Sequence, residues 1–458
     1  MNKKETLKRE LGLFSGISIL TGIMVGSGIF FIGSLVLIRT NYSVGLSLLV
    51  WVIGGLITLL YALIYAELGA TTPEAGGYYI YLRNAYGKPL AFLSGFTNFM
   101  IISSASIAIL ATVFPVILNN IFGFLFGFMF PNTVSLLIAI LLIIGLSVLN
   151  FFGIKVSAVL LKVLLVAKAI PIITILVLGL TLGSQPIDVS INLSNQSFFS
   201  VLSVIGFAVI ATFWAYEGWT NLNNVAGEIK KPSLNLPLSL IITVVSVTIL
   251  YTLYNLSLFR VLSLADIQAL IANGDIFLGI SATANILGSF GVFLVMFTML
   301  ISVFGALNGT IMTFPRVYYA MSRDGLFFKR FKQVHPQYHT PYIAIIGSGL
   351  MAIILAFVDF FIDNGLDTLI SLVAFGALFF NALIFVSIFI DRKKHPNKER
   401  PYQVWGYPYL PAFTILITLG LLVATFIEAI IPSLIGSAII LLGLPAYALF
   451  HMNNKKAV

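Results

Sequence analysis

Apolar residues fall into long continuous runs from Leu11 to Phe450, separated by short polar clusters. A helix that crosses a bilayer needs about 20 apolar residues. The only other spanning solution is a closed barrel, which would show short alternating segments instead. The pattern therefore predicts an all-α integral membrane fold. It divides into twelve spans, at 12–39, 44–68, 88–118, 133–152, 155–182, 199–226, 237–260, 286–311, 342–361, 366–390, 409–428 and 432–451.

Composition agrees, with 59% hydrophobic and 9% charged residues, against about 25% charged in an ordinary soluble domain. The first apolar run follows Lys3, Lys4, Lys8 and Arg9, as a signal peptide would, but no small-residue cleavage site follows. It is expected to be a retained first span.

Lysine and arginine set the orientation. On one side lie the four N-terminal cations, Arg83, Lys88, Lys155, Lys230 and Lys231, with Arg316, Arg323, Lys329, Arg330 and Lys332. The same side takes Arg392, Lys393, Lys394, Lys398, Arg400, Lys455 and Lys456, so it holds 21 of the 25 cations. The other side has Arg39 and Arg260 among Asp188, Asp266, Asp275, Asp359, Asp363, Asp367 and Glu428. Both termini are expected in the cytoplasm, and the +9 net charge is topological. It needs no nucleic-acid partner.

Two spans carry polar or glycine-rich interruptions near their middle. In the first, Gly22, Gly26, Ser27 and Gly28 allow two readings: close helix packing through small residues four apart, or an unwound stretch. An unwound stretch would offer the N–H groups of Ser27 and Gly28 to a carboxylate and the carbonyls around Met24 to an ammonium. The sixth span, Phe213 to Asn224, places Glu217, Gly218 and a polar cluster at mid-depth. A carboxylate there costs at least about 2.5–3.5 kcal/mol unless a cavity or partner receives it. Interruptions five spans apart are what an inverted repeat of two five-helix halves produces.

These residues resemble the amino acid–polyamine–organocation superfamily. The resemblance rests on Gly26 to Phe30, on Glu67-Leu68 through Pro73 to Tyr78, and on Phe213 to Trp219 followed by Gly227 to Pro232. It is extended by Tyr319 to Gly325, all in family order. Trp214 to Trp219 and Asn308-Gly309 are similar to the L-type amino acid transporter branch, with an alanine-serine-cysteine type exchanger as one version. The resemblance implies a LeuT-like fold: first repeat 12–182, second repeat 199–390, two additional helices at 409–451, one transporter domain over 1–458. It implies a substrate site at Met24, Val25, Gly26, Ser27, Gly28 and Ile29 with Phe213, Trp214, Ala215 and Glu217. Animal members of the branch join a heavy subunit through a disulfide. A chain without cysteine cannot, so no such partner is expected.

Three lysines, Lys155, Lys162 and Lys168, lie on the fifth span. Lys155 either snorkels to the interface or reaches Gly16 on helix one and Ser302 or Asn308 on helix eight. The resemblance maps the branch's ion-substituting lysine onto Lys155, where sodium sits in coupled relatives of this fold, and implies sodium-independent transport. Glu217 is a counter-charge for a cationic side chain, or is paired or protonated beside a neutral substrate. Trp214 is core or a lid.

The four histidines (His335, His339, His395, His451) fall near expected cytoplasmic segments, and no cofactor, metal or catalytic cluster is anticipated. A channel filter and a phosphate-binding loop are also absent from the sequence. The expected function is exchange of small neutral L-amino acids (alanine, serine, cysteine) across the cell membrane. The alternative is a proton-coupled symporter, or an exchanger of cationic amino acids using Glu217.

Overall fold

The computed structural model describes residues 7–191, 198–362 and 365–455. Lys3, Lys4, Asp363 and Lys456, used in the charge reading, lie outside them, as does the side chain of Lys455. The regular structure of the described residues is helical, and they contain no strand. A single parallel bridge joins Leu11 to Ile229.

Ten helices are long and apolar enough to cross a membrane. Val44–Thr71, Lys88–Phe126, Asn132–Phe151 and Ile154–Leu182 take the places of spans two to five. Pro232–Val261, Leu278–Arg323, Tyr342–Phe361, Gly365–Lys394, Tyr409–Glu428 and Ile430–Met452 take those of spans seven to twelve. Leu13–Met24 and Gly28–Arg39 meet at a 51° bend and together form an eleventh crossing. In the sixth position Phe198–Tyr216 is followed, after a break, by the four-residue helix Asn221–Asn224. By length and composition the count among the described residues is therefore ten or eleven, against the twelve expected. The sixth position contributes the apolar stretch Ser203–Tyr216, which is shorter than a full crossing.

Expected boundaries move by five residues at the start of the seventh span, now Pro232, and by more at the third and eighth. The third span runs on to Phe126, because Asn119 folds back onto the following loop, bonding both the carbonyl and the N–H of Phe130 at 3.1 and 2.8 Å. The eighth begins at Leu278, with a kink at Gly288, whose φ of 58° lies in the left-handed region.

The interrupted helices sit centrally. Leu13–Met24 packs against Pro232–Val261, Ile154–Leu182 and Leu278–Thr313, while Gly28–Arg39 packs against Phe198–Tyr216. On the lysine- and arginine-rich side the chain is tied shut. Glu10 and Leu11 donate their N–H groups to the Glu228 carbonyl at 2.9 and 3.0 Å, and Lys230 N–H returns to Leu11 at 2.7 Å. Beneath this strap a fully buried ion pair joins Arg316 Nε to Glu228 Oε1 at 2.8 Å. Arg83 reaches Asp324 at 2.8 Å, and the Tyr79 hydroxyl donates to the same carboxylate. Between Thr71 and Tyr78 the chain forms a loop, with Gly76 and Gly77 at positive φ before the short helix Tyr78–Tyr86.

Candidate functional site

Residues 25–27 leave the helix in the first span, and residues 217–220 in the sixth. The breaks touch each other. Gly218 has φ 113°, and a Cβ there would lie 2.5 Å from Ile23 Cγ2 and 3.3 Å from the Met24 nitrogen. At Gly28 a Cβ would lie 2.6 Å from Ala215 Cα, so the two upper half-helices meet backbone to backbone.

Between them lies a cavity of about 90 Å³, lined by Met24, Gly26, Ser27, Gly28, Trp214, Glu217, Gly218 and Asn221. Its far wall comes from the third, eighth and tenth spans, through Asn98, Ile102, Thr310, Phe380 and Asn381. Asn98 to Ile102 form a π-helical turn inside the third span, the kind of local bulge that redirects side chains towards a site. The opening N–H groups of Gly28–Arg39 have no partner within their helix. No backbone acceptor outside it meets those of Ser27, Gly28 or Ile29. The hydroxyl of Ser94 and the Oδ1 of Asn221 are likewise buried without partners, and both residues line the cavity. Such groups are costly unless a ligand or water meets them.

The carbonyls of the first break are partly taken. Lys168, buried on the fifth span, donates from Nζ to Val25, Gly22 and Thr21 at 2.6, 3.0 and 3.2 Å. The Tyr251 hydroxyl lies 2.7 Å from the Met24 carbonyl and 3.0 Å from that of Ala215, spanning both breaks. Glu217, by contrast, has no cationic partner among the described residues. Its side chain is exposed to the cavity space.

Towards the acidic side lies a second cavity of about 490 Å³, walled by Phe31, Leu35, Phe213, Ile370 and Leu378 and rimmed by Arg39, Asp367 and Glu428. Trp214, Glu217, Val373, Ala377 and Asn381 line both cavities and so stand between them. Arg39 is held by Glu428 at 2.7 Å and by the carbonyl of Phe207, with its guanidinium 3.9 Å from that residue's ring centre.

An amino acid permease family model matches residues 11–449, almost the whole length. The chain belongs to that family. The serine/threonine exchanger SteT of Bacillus subtilis is 33% identical over 455 residues, covering 98% of either chain. The human cystine/glutamate transporter is 30% identical, over 99% of this chain and 87% of its own. The mouse b(0,+)-type amino acid transporter 1 is 30% identical, over 93% and 84%. The resemblance to the superfamily and its L-type branch is thereby shown, and the permease is an amino acid transporter or exchanger of the multi-pass membrane class. Its 458 residues hold no cysteine for a disulfide to a heavy subunit.

The breaks bring together Met24, Gly26, Ser27, Gly28, Trp214 and Glu217 of the permease as cavity lining. Val25, Ile29, Phe213 and Ala215 are placed elsewhere. Val25 gives its carbonyl to Lys168, and Ile29 is buried in the core. Phe213 stacks on Tyr61 in the vestibule wall, and Ala215 is the surface on which Gly28 rests.

Lys155 needs correction. It is exposed in the first turn of Ile154–Leu182, and the ammonium at the first break is that of Lys168. Thirteen residues separate them, about 20 Å along a helix, so Lys155 stays at the membrane edge while Lys168 reaches mid-depth. Lys162 lies over the Phe14 ring at 5.8 Å. The partners assigned to Lys155 also differ. A Cβ on Gly16 would clash with Ser239, so that glycine serves packing against the seventh span. Ser302 is buried with its hydroxyl unpaired. Asn308 accepts from Asn150 at 3.0 Å and donates to the Ser157 carbonyl at 3.4 Å, bracing the eighth span against the fourth and fifth.

Sequence reasoning missed Tyr251, Tyr65 and Asn381, the last two joined by a 2.6 Å hydrogen bond in the cavity wall. A polar side chain inside an apolar run was the available signal.

Proposed function

We propose that the permease exchanges small neutral L-amino acids, of the size of alanine, serine or cysteine, across the cell membrane by alternating access. The observation that carries this reading is the central cavity. It is small, and it is walled by the unpaired N–H groups of the first break and by a few polar side chains. A substrate carboxylate on the N–H groups of Ser27 and Gly28 sits at the positive end of a half-helix. The ammonium takes carbonyls left free at the breaks, and the modest volume limits the side chain. The serine/threonine exchange in the name of the Bacillus subtilis relative fits the same size class.

Lys168 occupies the break carbonyls with a fixed charge, which supports transport without sodium. Both termini are assigned to the cytoplasm by the positive-inside rule. The 490 Å³ vestibule then faces outward, while the Glu228–Arg316 pair and the N-terminal strap close the inner route. Trp214, between the two cavities, acts as a lid, and Trp214→Ala should raise apparent KM more than Trp214→Phe. Spans one, two, six and seven rock as a bundle against spans three, four, eight and nine, the two halves 12–182 and 199–390 forming the inverted repeat with 409–451 outside it.

A second reading, exchange of cationic amino acids or coupling to protons, is favoured by the carboxylates Glu217, Asp367 and Glu428 facing the outer route against Arg39 alone. Uptake of labelled alanine, serine, arginine and lysine into proteoliposomes tests the two together. Uptake that needs internal amino acid, ignores sodium and is blocked by alanine or serine supports the first. Uptake of arginine that alanine does not compete with, or accumulation in empty vesicles under a proton gradient, replaces it with the second.

A further inference from the structure

A third cavity, of about 400 Å³, lies away from the transport route. It is a groove between the fourth and ninth spans, bounded by Ile144, Val148, Phe152, Ile346 and Leu350. Its floor exists because Gly349 has no side chain. A Cβ there would lie 3.0 Å from the Ser147 hydroxyl, which is itself buried and unpaired in the groove lining. The walls face outward, with Val148 52% and Leu350 58% exposed, so the groove opens onto the hydrocarbon region. From Ile345 to Ile353 it follows about 12 Å of helix, most of the ~15 Å depth of one leaflet.

The groove ends at the basic side, and that end is cationic. Phe151 and Phe152 close the wall, and Lys155 follows Phe152 by three residues, exposed and in no ion pair among the described residues. On the other flank the Phe331 ring packs against Gly347, next to the groove wall at Ile346. This fixes the short turn Lys329–Lys332 against the ninth span, with Lys329, Arg330 and Lys332 exposed and likewise unpaired. An apolar slot running into the membrane, an unused hydroxyl about one turn inside its mouth, and free cations around the mouth match the parts of one molecule.

We propose that this groove binds an anionic phospholipid of the basic-side leaflet. One acyl chain lies against Ile144, Val148, Ile346 and Leu350. An ester carbonyl accepts from Ser147, and the phosphate meets Lys155 and Lys332. Cation clusters at a membrane edge favour anionic over zwitterionic headgroups. The site gives the exposed Lys155 a role that its distance from the first break denies it in ion substitution, and it does not depend on which amino acid is carried.

The absence of native cysteine makes Leu350→Cys a unique attachment point for a fluorophore in the full chain. The probes are phosphatidylglycerol and phosphatidylcholine with brominated acyl chains, titrated into nanodiscs. Brominated phosphatidylglycerol should quench the label at a mole fraction about fivefold lower, for each engaged lysine, than brominated phosphatidylcholine does. The double substitution Lys155→Gln and Lys332→Gln, both at exposed positions, should remove that preference. A label at Leu416→Cys, on the lipid-facing eleventh span, should show none. Equal quenching by the two lipids at position 350, or a preference that survives the double substitution, overturns the proposal. So does shielding from both lipids with crosslinking of the label site to a second protein, which would make the groove a subunit interface.

Discussion

The two helix breaks that face each other across the central cavity are built on opposite principles. The first needs no unusual backbone. Val25 and Ser27 keep negative φ, and the exposed carbonyls are satisfied by side chains from elsewhere, the Lys168 ammonium and the Tyr251 hydroxyl. The second depends on its own backbone. Gly218 takes φ 113°, the lower half-helix is only Asn221–Asn224, and Glu217 has no ion-pair partner among the described residues. One break has its electrostatics neutralised by the protein, and the other leaves them open to the cavity. A transporter needs both: a fixed frame to hold the substrate backbone, and a part whose interactions change with occupancy.

The strongest way to break this comparison is to give the second hinge a side chain. Gly218→Ala must hold φ 113° and push into Ile23, and backbone strain of this kind costs about 1–3 kcal/mol before any clash. Exchange in proteoliposomes should fall by about 100-fold. Gly28→Val should fall as far, by collision with Ala215. Gly26→Ala, whose Cβ meets nothing closer than 3.5 Å, should stay within about threefold. An active Gly218→Ala would show that the second break does not rest on its glycine.

The next effect concerns the borrowed charge. Lys168→Met orphans three carbonyls, at about 1–3 kcal/mol for each group left unsatisfied. Exchange should drop at least about tenfold with the protein still folded by size-exclusion profile. Lys155→Met should stay within about twofold in the same assay, since its ammonium lies outside the transport route. If the two respond alike, the assignment of the break's ammonium to Lys168 fails.

Tyr251→Phe sharpens the link between the breaks. It removes one hydroxyl shared by two carbonyls, and thermal stability with exchange rate should fall by an amount equivalent to about 1–2 kcal/mol, less than for Lys168→Met. An unchanged melting temperature and rate would make the bridge incidental.

The smallest change should come from Ser27→Ala. Substrate contact there is assigned to the N–H group, so apparent KM should move by less than about twofold. A tenfold rise would place the serine hydroxyl, not the backbone, at the substrate carboxylate.

The sequence by itself determined the membrane class and nearly all span positions, and it marked the two stretches where a break could fall. Each follows from one-dimensional chemistry: twenty apolar residues span a bilayer, and glycines or a lone acid inside such a run disrupt it. The tertiary structure alone decided which partners serve those breaks. Lys155 opens its span and Lys168 lies near the middle, so their depths differ already along the chain, but only packing shows that the deeper one meets Val25. Tyr251 and Asn381 read as ordinary polar residues in apolar helices until packing sets them 36 residues from Ala215 and 316 from Tyr65 in sequence, yet within hydrogen-bond reach. Position along a helix fixes a residue's face and height, but the partner across the gap is chosen by how whole helices pack, and no local pattern encodes that choice.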